Sequence, residues 1–266
     1  MLTTALTIAG FDGSGGAGLQ ADLKTFSALG CYGMNVLTAL PIQNTCGVRN
    51  CFNLPLAAIE EQLDAIFSDI TPNVIKIGML FNQEIVHLVA EFLSQHAQNI
   101  PIVLDPVMVA KSGDYLLLPE AIETLKRELI PQVTLITPNI NEAQALSNMK
   151  IKTPSDMLKG AEIIHTLGNV NVLLKGGHLD GISCDDLLFT SSAQHWFKAP
   201  RIETINTHGT GCTLSAAIAA NLAQGQDLVS SCQNAKDYLY QAMLSFKDVT
   251  IGHGHGPVNH FHQWWS

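Results

Sequence analysis

LTIAGFDGSGGAGLQADLKTF, residues 6–26, holds a complete strand, turn and helix in one line. Residues 6–9 form a short apolar run of the kind that suits a strand covered on both faces. Gly13, Gly15, Gly16 and Gly18 follow as a loop, and Leu19, Leu23 and Phe26 then recur at helical spacing. The same alternation repeats along the chain. Residues 36–40, 74–77, 102–104, 133–136 and 170–174 are further near-continuous apolar runs. Between them lie helical stripes such as Leu56, Ile59, Leu63 and Ile66, and Ile85, Leu88, Val89 and Phe92. Strands alternating with helices in this way predict an α/β fold, a mostly parallel central sheet with helices on both faces. Residues 185–189 and 194–198, joined by a turn at 190–193, read as a hairpin and so predict a small antiparallel edge. Two helices close the chain, one carrying Leu214, Ile218 and Leu222, the other Cys232, Leu239, Met243 and Phe246, with Gly225 between them. No repeat or linker divides the sequence, so a single domain over residues 1–266 is expected.

Composition narrows the class. Apolar residues make up 47% and charged residues 14%, which excludes a disordered chain. The net charge of −9 has the wrong sign for gripping nucleic acid or an anionic membrane. No apolar stretch approaches the roughly 18 residues that cross a bilayer. The opening MLTTALTIAG lacks a basic leader region, and a cytoplasmic location is expected. The six cysteines are too sparse for a disulfide framework, and Cys46 and Cys51 lack the second close pair that a metal would need.

In open α/β sheets ligands bind beyond the carboxyl ends of the strands. The residues that follow the apolar runs are Gly10 and Asp12, then Gln43 and Asn44, then Gly78 and Met79. Asp105 comes next, followed by Thr137, Asn139 and Glu142, and finally Lys175, Gly176 and Gly177. Carboxylates, an amide and a lysine on one rim point to a phosphate and metal site, although polar turns alone also give such a list. Residues 13–18 match G-x-G-x-x-G, but the next strand ends in Ile42-Gln43-Asn44-Thr45 without the acid that would hold a ribose. No Gly-Lys pair exists, which closes the P-loop route. Residues 206–213, NTHGTGCT, open a helix and can turn backbone amides toward an anion; the plainer reading is a glycine-rich helix entry with threonine caps. At that position the Cys212 thiol is expected to have a lowered pKa, making it a base or nucleophile.

AGFDGSGGAG, QADLKTFSALG, QNT, KIGML, DPVM with AKSGD, TPN followed by Glu142, LLKGGH and NTHGTGCTLSAA together resemble the bacterial hydroxymethylpyrimidine/phosphomethylpyrimidine kinases of the ribokinase-like superfamily. The resemblance runs over nearly the whole chain to GPVNHFHQWW. Cys212 stands where most of the superfamily has Asp, a feature shared with a group of pyridoxine kinases. The resemblance implies a ribokinase-like three-layer sandwich that phosphorylates hydroxymethylpyrimidine to its monophosphate and then its diphosphate for thiamine biosynthesis. Pyridoxine or pyridoxal phosphorylation is the alternative. ATP as donor, Mg²⁺ and a homodimer are implied with it.

The resemblance also distributes roles. Gln43 would read the aminopyrimidine, with Gly10, Asp22 and Met79 lining its pocket; Asp22 has a plainer role as charge balance at the first helix. Lys175, Asn139 and Thr207 would hold the nucleotide, and Glu142 and Asp105 the metal. The lesser alternative for Asp105 and Lys175 is a structural ion pair across neighbouring loops. Gly209, Thr210, Gly211 and Cys212 would meet the transferring phosphoryl group, with Cys212 taking the hydroxymethyl proton. Two departures stand out: Asp12-Gly13-Ser14 replaces the usual Asp-Pro-Ser, and Pro41 precedes the substrate glutamine and predicts a bent or edge strand. His253, His255, His260 and His262 suggest a metal site, against which packing of Phe261, Trp264 and Trp265 is the preferred reading.

Overall fold

The computed structural model describes residues 2–109, 116–177 and 183–265. The whole AKSGD segment, residues 110–114, and His178 lie outside the described residues. In chain order the elements are β1 (Thr4–Ala9), α1 (Gly18–Ala28), β2 (Tyr32–Leu37), β3 (Ala39–Asn44) and β4 (Gly47–Asn53). Then come α2 (Leu56–Phe67), β5 (Val74–Ile77), α3 (Gln83–His96), β6 (Ile102–Leu104) and α4 (Ala121–Thr124). They are followed by β7 (Leu135–Ile136), α5 (Ile140–Ser147), α6 (Pro154–His165) and β8 (Asn171–Leu174). The chain ends with β9 (Asp186–Phe189), β10 (Gln194–Phe197), α7 (Thr210–Ala223) and α8 (Leu228–Ser245).

An eight-stranded sheet runs in the order β10-β9-β8-β7-β6-β5-β1-β2. The strands from β2 to β8 in that order are parallel, and β9 and β10 add the antiparallel edge that the sequence predicts. Alternation along the strands explains how two layers of helices are recruited. Leu6, Ile8, Ile75 and Ile77 point into one core, while Ala5, Val74 and Val103 point into the other. Fully burying an aliphatic side chain of that size stabilises by about 1.5–3 kcal/mol, so a polar residue in these strands needs a partner.

Helix α7 is buried almost all round, from Thr213 to Asn221, and its alanines let it lie close against β1, β5 and β6. The strand order reverses between β1 and β5, the crossover point where open sheets leave a crevice. The N-terminus of α7 arrives at that crevice.

The structure corrects the reading of residues 36–40 as one strand. Thr38 breaks the run: its amide donates to Ala9 O (3.0 Å) and its hydroxyl to Met79 O (2.5 Å). The chain then leaves the sheet as the β3–β4 ribbon, with Pro41 paired opposite Cys51 and an irregularity between Ile42 and Gln43. Such a two-stranded ribbon tolerates a proline that a central strand would reject. The tail is also corrected. Trp264 and Trp265 are 71% and 57% exposed, and the buried tail residues include Val258, Asn259 and His260, the last of which meets the Thr213 hydroxyl (3.1 Å) and offers its carbonyl to Tyr238 (2.6 Å). Burial pushes the His260 imidazole down to about 3, so it packs as a neutral ring.

Candidate active site

Gly10, Gln43, Met79, Asp105, Asn139, Glu142, Lys175, Thr207 and residues 209–212 all border one cavity of about 410 Å³. Asp22 does not. It is fully buried beneath the cavity, accepting from Lys76 Nζ (2.8 Å) and the Thr7 hydroxyl (2.6 Å).

The pieces are linked contact by contact. A methyl group added at Gly10 would strike Met79, and one at Gly18 would strike the Gly10 carbonyl, so glycine is required where the strand end meets the helix start. Gln43 Nε2 donates to Phe11 O (3.1 Å), which orients the amide and leaves its second N–H and its carbonyl unused by that bond. The Gly18 amide faces the Cys212 thiol and favours its charged form. Cys212 borders the same cavity as Gly10, Met79 and Gln43. A methyl group at Gly211 would lie 3.2 Å from Asp105 Oδ2 and 3.4 Å from Lys175 Nζ. Asn139 and Glu142 form a reciprocal cap at the start of α5, and Asn139 pairs with Lys175 in a short parallel bridge.

Gly209 is the N-cap of helix α7, in the left-handed region at φ +77. The Gly209 carbonyl accepts from Thr213 N (2.8 Å), and the amides of Gly211 and Cys212 fall in the first turn, where a helix has no internal acceptor for them. The earlier glycine loop has a different occupant. The carboxylate of Asp12 accepts from the amides of Ser14, Gly16 and Ala17, so the concavity that matched a dinucleotide fingerprint already holds the protein's own anion.

The family description of phosphomethylpyrimidine kinase matches residues 12–259 of this chain. The chain belongs to the phosphomethylpyrimidine kinase family. A Salmonella typhimurium protein named hydroxymethylpyrimidine/phosphomethylpyrimidine kinase is 51% identical over 98% of both chains. The crystal structure of phosphomethylpyrimidine kinase from Clostridium difficile superposes with a TM-score of 0.80 at 44% identity, covering 91% of this chain and 99% of that one. A Staphylococcus aureus pyridoxal kinase, solved with AMP-PCP and pyridoxal, superposes with a TM-score of 0.90 at 35% identity, covering 99% and 95%. The chain is thus a kinase, an enzyme that transfers phosphate.

In this kinase the electrostatics depart from the sequence expectation at Cys212. Burial, the largest influence, pushes the thiol up to about 11; Lys76 pulls it down, while Asp22 and Asp105 push it further up. A helix N-terminus lowers a thiol pKa, but here desolvation outweighs it. Sequence reasoning also missed Lys76, which borders the cavity although it is fully buried. A single lysine inside the otherwise apolar run VIKI was the available signal. Leu239 and Met243, read only as helix packing, also border the cavity.

Glu142 is 6% exposed, and burial pushes its carboxyl up to about 7, with Asp105 adding to the rise and Lys175 and the Asn139 and Met108 amides opposing it. Its folded pKa lies above the ordinary value of 4.5, so between pH 4.5 and about 7 the folded chain keeps a proton that the unfolded chain releases. Its stabilising contribution is therefore present at low pH and lost as pH rises through that window. In ligand-free protein, the melting-temperature advantage of Glu142→Gln over wild type should grow from pH 5 to pH 8. The corresponding difference in unfolding free energy should change by on the order of 2–3 kcal/mol between those pH values. An advantage that stays constant across that range would contradict the shift.

Proposed function

We propose that the kinase transfers the γ-phosphoryl group of ATP to hydroxymethylpyrimidine and then to the resulting monophosphate, the paired steps of thiamine biosynthesis. The observation that carries this reading is the meeting of Gln43 and the start of α7 in one cavity, joined through Gly10, Gly18 and Cys212. Gln43 presents one donor and one acceptor side by side, the pattern that matches an amino group next to a ring nitrogen. Met79 supplies an apolar wall for the ring. In the first step the hydroxymethyl oxygen attacks the γ-phosphorus and the bond to the bridging oxygen of ADP breaks. The hydroxymethyl proton goes to the thiolate form of Cys212. In the second step the attacking oxygen belongs to a phosphate and carries no proton that must be removed.

Charge on the transferring group is met by Lys175 and by the amides of Gly209, Thr210, Gly211 and Cys212. Asn139 and Thr207 border the same space and contact the nucleotide in this reading. Mg²⁺ fits the donors present: Asp105 and Glu142 are buried carboxylates at the cavity, and Glu142 is held toward its neutral form by burial that a cation would offset. Among the described residues no group of three or more metal-binding side chains exists, so these carboxylates would share the ion with substrate phosphates and water, as magnesium prefers. The bound ion would neutralise phosphate charge.

The superposition on pyridoxal kinase favours pyridoxal as a second acceptor. ADP-release assays on hydroxymethylpyrimidine, its monophosphate and pyridoxal test the assignment. Turnover on both pyrimidines is expected, and turnover on pyridoxal alone would overturn it. In the same assay Gln43→Ala should raise KM for the pyrimidine roughly tenfold or more, with a smaller effect on kcat. An unmoved KM would mean that the amide does not read the ring.

A further inference from the structure

Gly18 meets Cys212 at the site, but Asp12 and the loop residues up to Ala17 have been given no role in the chemistry above, and their construction is specific. Asp12 is fully buried and accepts from Ser14 N (3.0 Å), Ser14 Oγ (2.7 Å), Gly16 N (3.0 Å) and Ala17 N (2.7 Å). Its remaining partner comes from the far end of the sequence: His208 Nε2 lies 2.8 Å from Asp12 Oδ2. His208 immediately precedes Gly209, where α7 begins. The two loops also interlock sterically, since a methyl group at Gly16 would strike the His208 ring and one at Gly209 would strike the Gly16 carbonyl. Behind, the His208 amide donates to Gly256 O (3.0 Å), so the residue is held from both sides.

We propose that the Asp12–His208 bond fixes the Gly209–Cys212 amides where the terminal phosphoryl group of the nucleotide sits, which makes His208 a positioning residue for transfer. The inference rests on the γ-phosphoryl site proposed above. Donors aimed at a developing charge work only when held to within about half an ångström. A helix that starts on a left-handed glycine does not hold itself to that tolerance, because glycine is the most permissive residue in the chain. A hydrogen bond between histidine and a carboxylate that is itself pinned by three amides supplies the missing constraint. Burial opposes the charge on Asp12, but His208, Ser14 and Ala17 outweigh it and hold the carboxyl below its usual range, so the acceptor stays ionised.

The test uses His208→Asn and His208→Gln in the full chain. The glutamine amide reaches the Nε2 position and can still donate to Asp12; the asparagine amide stops short. For each variant the affinities for AMP-PCP and ADP are measured by calorimetry, along with kcat and the pyrimidine KM. ADP lacks the γ-phosphoryl group, so the ratio of the two affinities isolates the contact in question. His208→Asn should lower that ratio and kcat about tenfold or more while leaving the pyrimidine KM near wild type. His208→Gln should keep the ratio within about threefold. Equal losses in both variants, or an unchanged ratio in the asparagine variant, would overturn the inference. If His208→Asn does not fold, the glutamine variant decides: a retained ratio supports the bond and a lost ratio refutes it. Wild-type protein without ATP-dependent turnover would remove the functional reading and the inference with it, whereas wild-type turnover with an unchanged asparagine variant removes the inference alone.

Discussion

Cys212→Ala is expected to cut turnover on hydroxymethylpyrimidine by about 10²–10⁴-fold and turnover on the monophosphate by much less. The asymmetry follows from where the proton is. A neutral hydroxymethyl group must lose a proton on the way to the product, and Cys212 is an ionisable side chain in the first turn of α7, bordering the cavity that Gln43 also borders. With the thiol pushed up to about 11, Cys212 rests overwhelmingly as the neutral thiol at pH 7.5 in the empty cavity. A base of that strength is matched to an alcohol better than a low-pKa thiolate would be, at the cost of being scarce. The first step should therefore speed up as pH rises through the neutral range, and that rise should vanish in Cys212→Ala. The monophosphate brings its own anionic oxygen, so its phosphorylation should lack the thiol-linked rise. A cysteine that is neutral at rest also avoids setting a fixed carboxylate against an incoming phosphate, which is the electrostatic difference from an aspartate at this position. Equal losses on the two substrates would refute a base role for Cys212.

Lys175→Met should be equally damaging for a different reason. Lys175 Nζ lies 2.9 Å from Asp105 Oδ1, and the two side chains are 14% and 3% exposed. Removing the cation leaves Asp105 uncompensated and strips Glu142 of the neighbour that most favours its charged form. Breaking a buried pair in this way typically destabilises by about 3–5 kcal/mol, with the lower end fitting a lysine that retains some contact with water. Turnover should fall about 10²–10³-fold if the ammonium also meets the transferring phosphoryl group. Stability and activity separate in the double variant Asp105→Asn/Lys175→Met. The neutral pair should recover most of the lost thermal stability while turnover stays low, because no cation remains. Recovery of both would make the pair purely structural.

Much of the fold was legible because its signals are local. Apolar runs of strand length alternate with helical stripes, and the hairpin at β9–β10 has its turn written between two short strands. The break at Thr38 was not legible, since it is made by hydrogen bonds to Ala9 and Met79 from distant parts of the chain, and only Pro41 hinted at the ribbon. At the site, residue types that follow strand ends could be listed from the sequence, and the crossover between β1 and β5 brings them together. What the sequence hid was depth. Asp22 was assigned to the pocket by the family resemblance, but the helix turns it inward to Lys76. Cys212 looked acidic because a helix start is visible in the sequence, whereas the burial that reverses the shift is a property of the packed chain. The tryptophans of the tail looked like core because they are aromatic, while Val258, Asn259 and His260 are the residues that pack inward.

The most direct measurement is a crystal structure of the enzyme with AMP-PCP and hydroxymethylpyrimidine bound together. The terminal phosphorus should lie against the amides of Gly211 and Cys212, the ring should hydrogen-bond to Gln43, and the hydroxymethyl oxygen should point at that phosphorus. A ring bound away from Gln43, or a terminal phosphate held by some group other than the start of α7, would contradict the account.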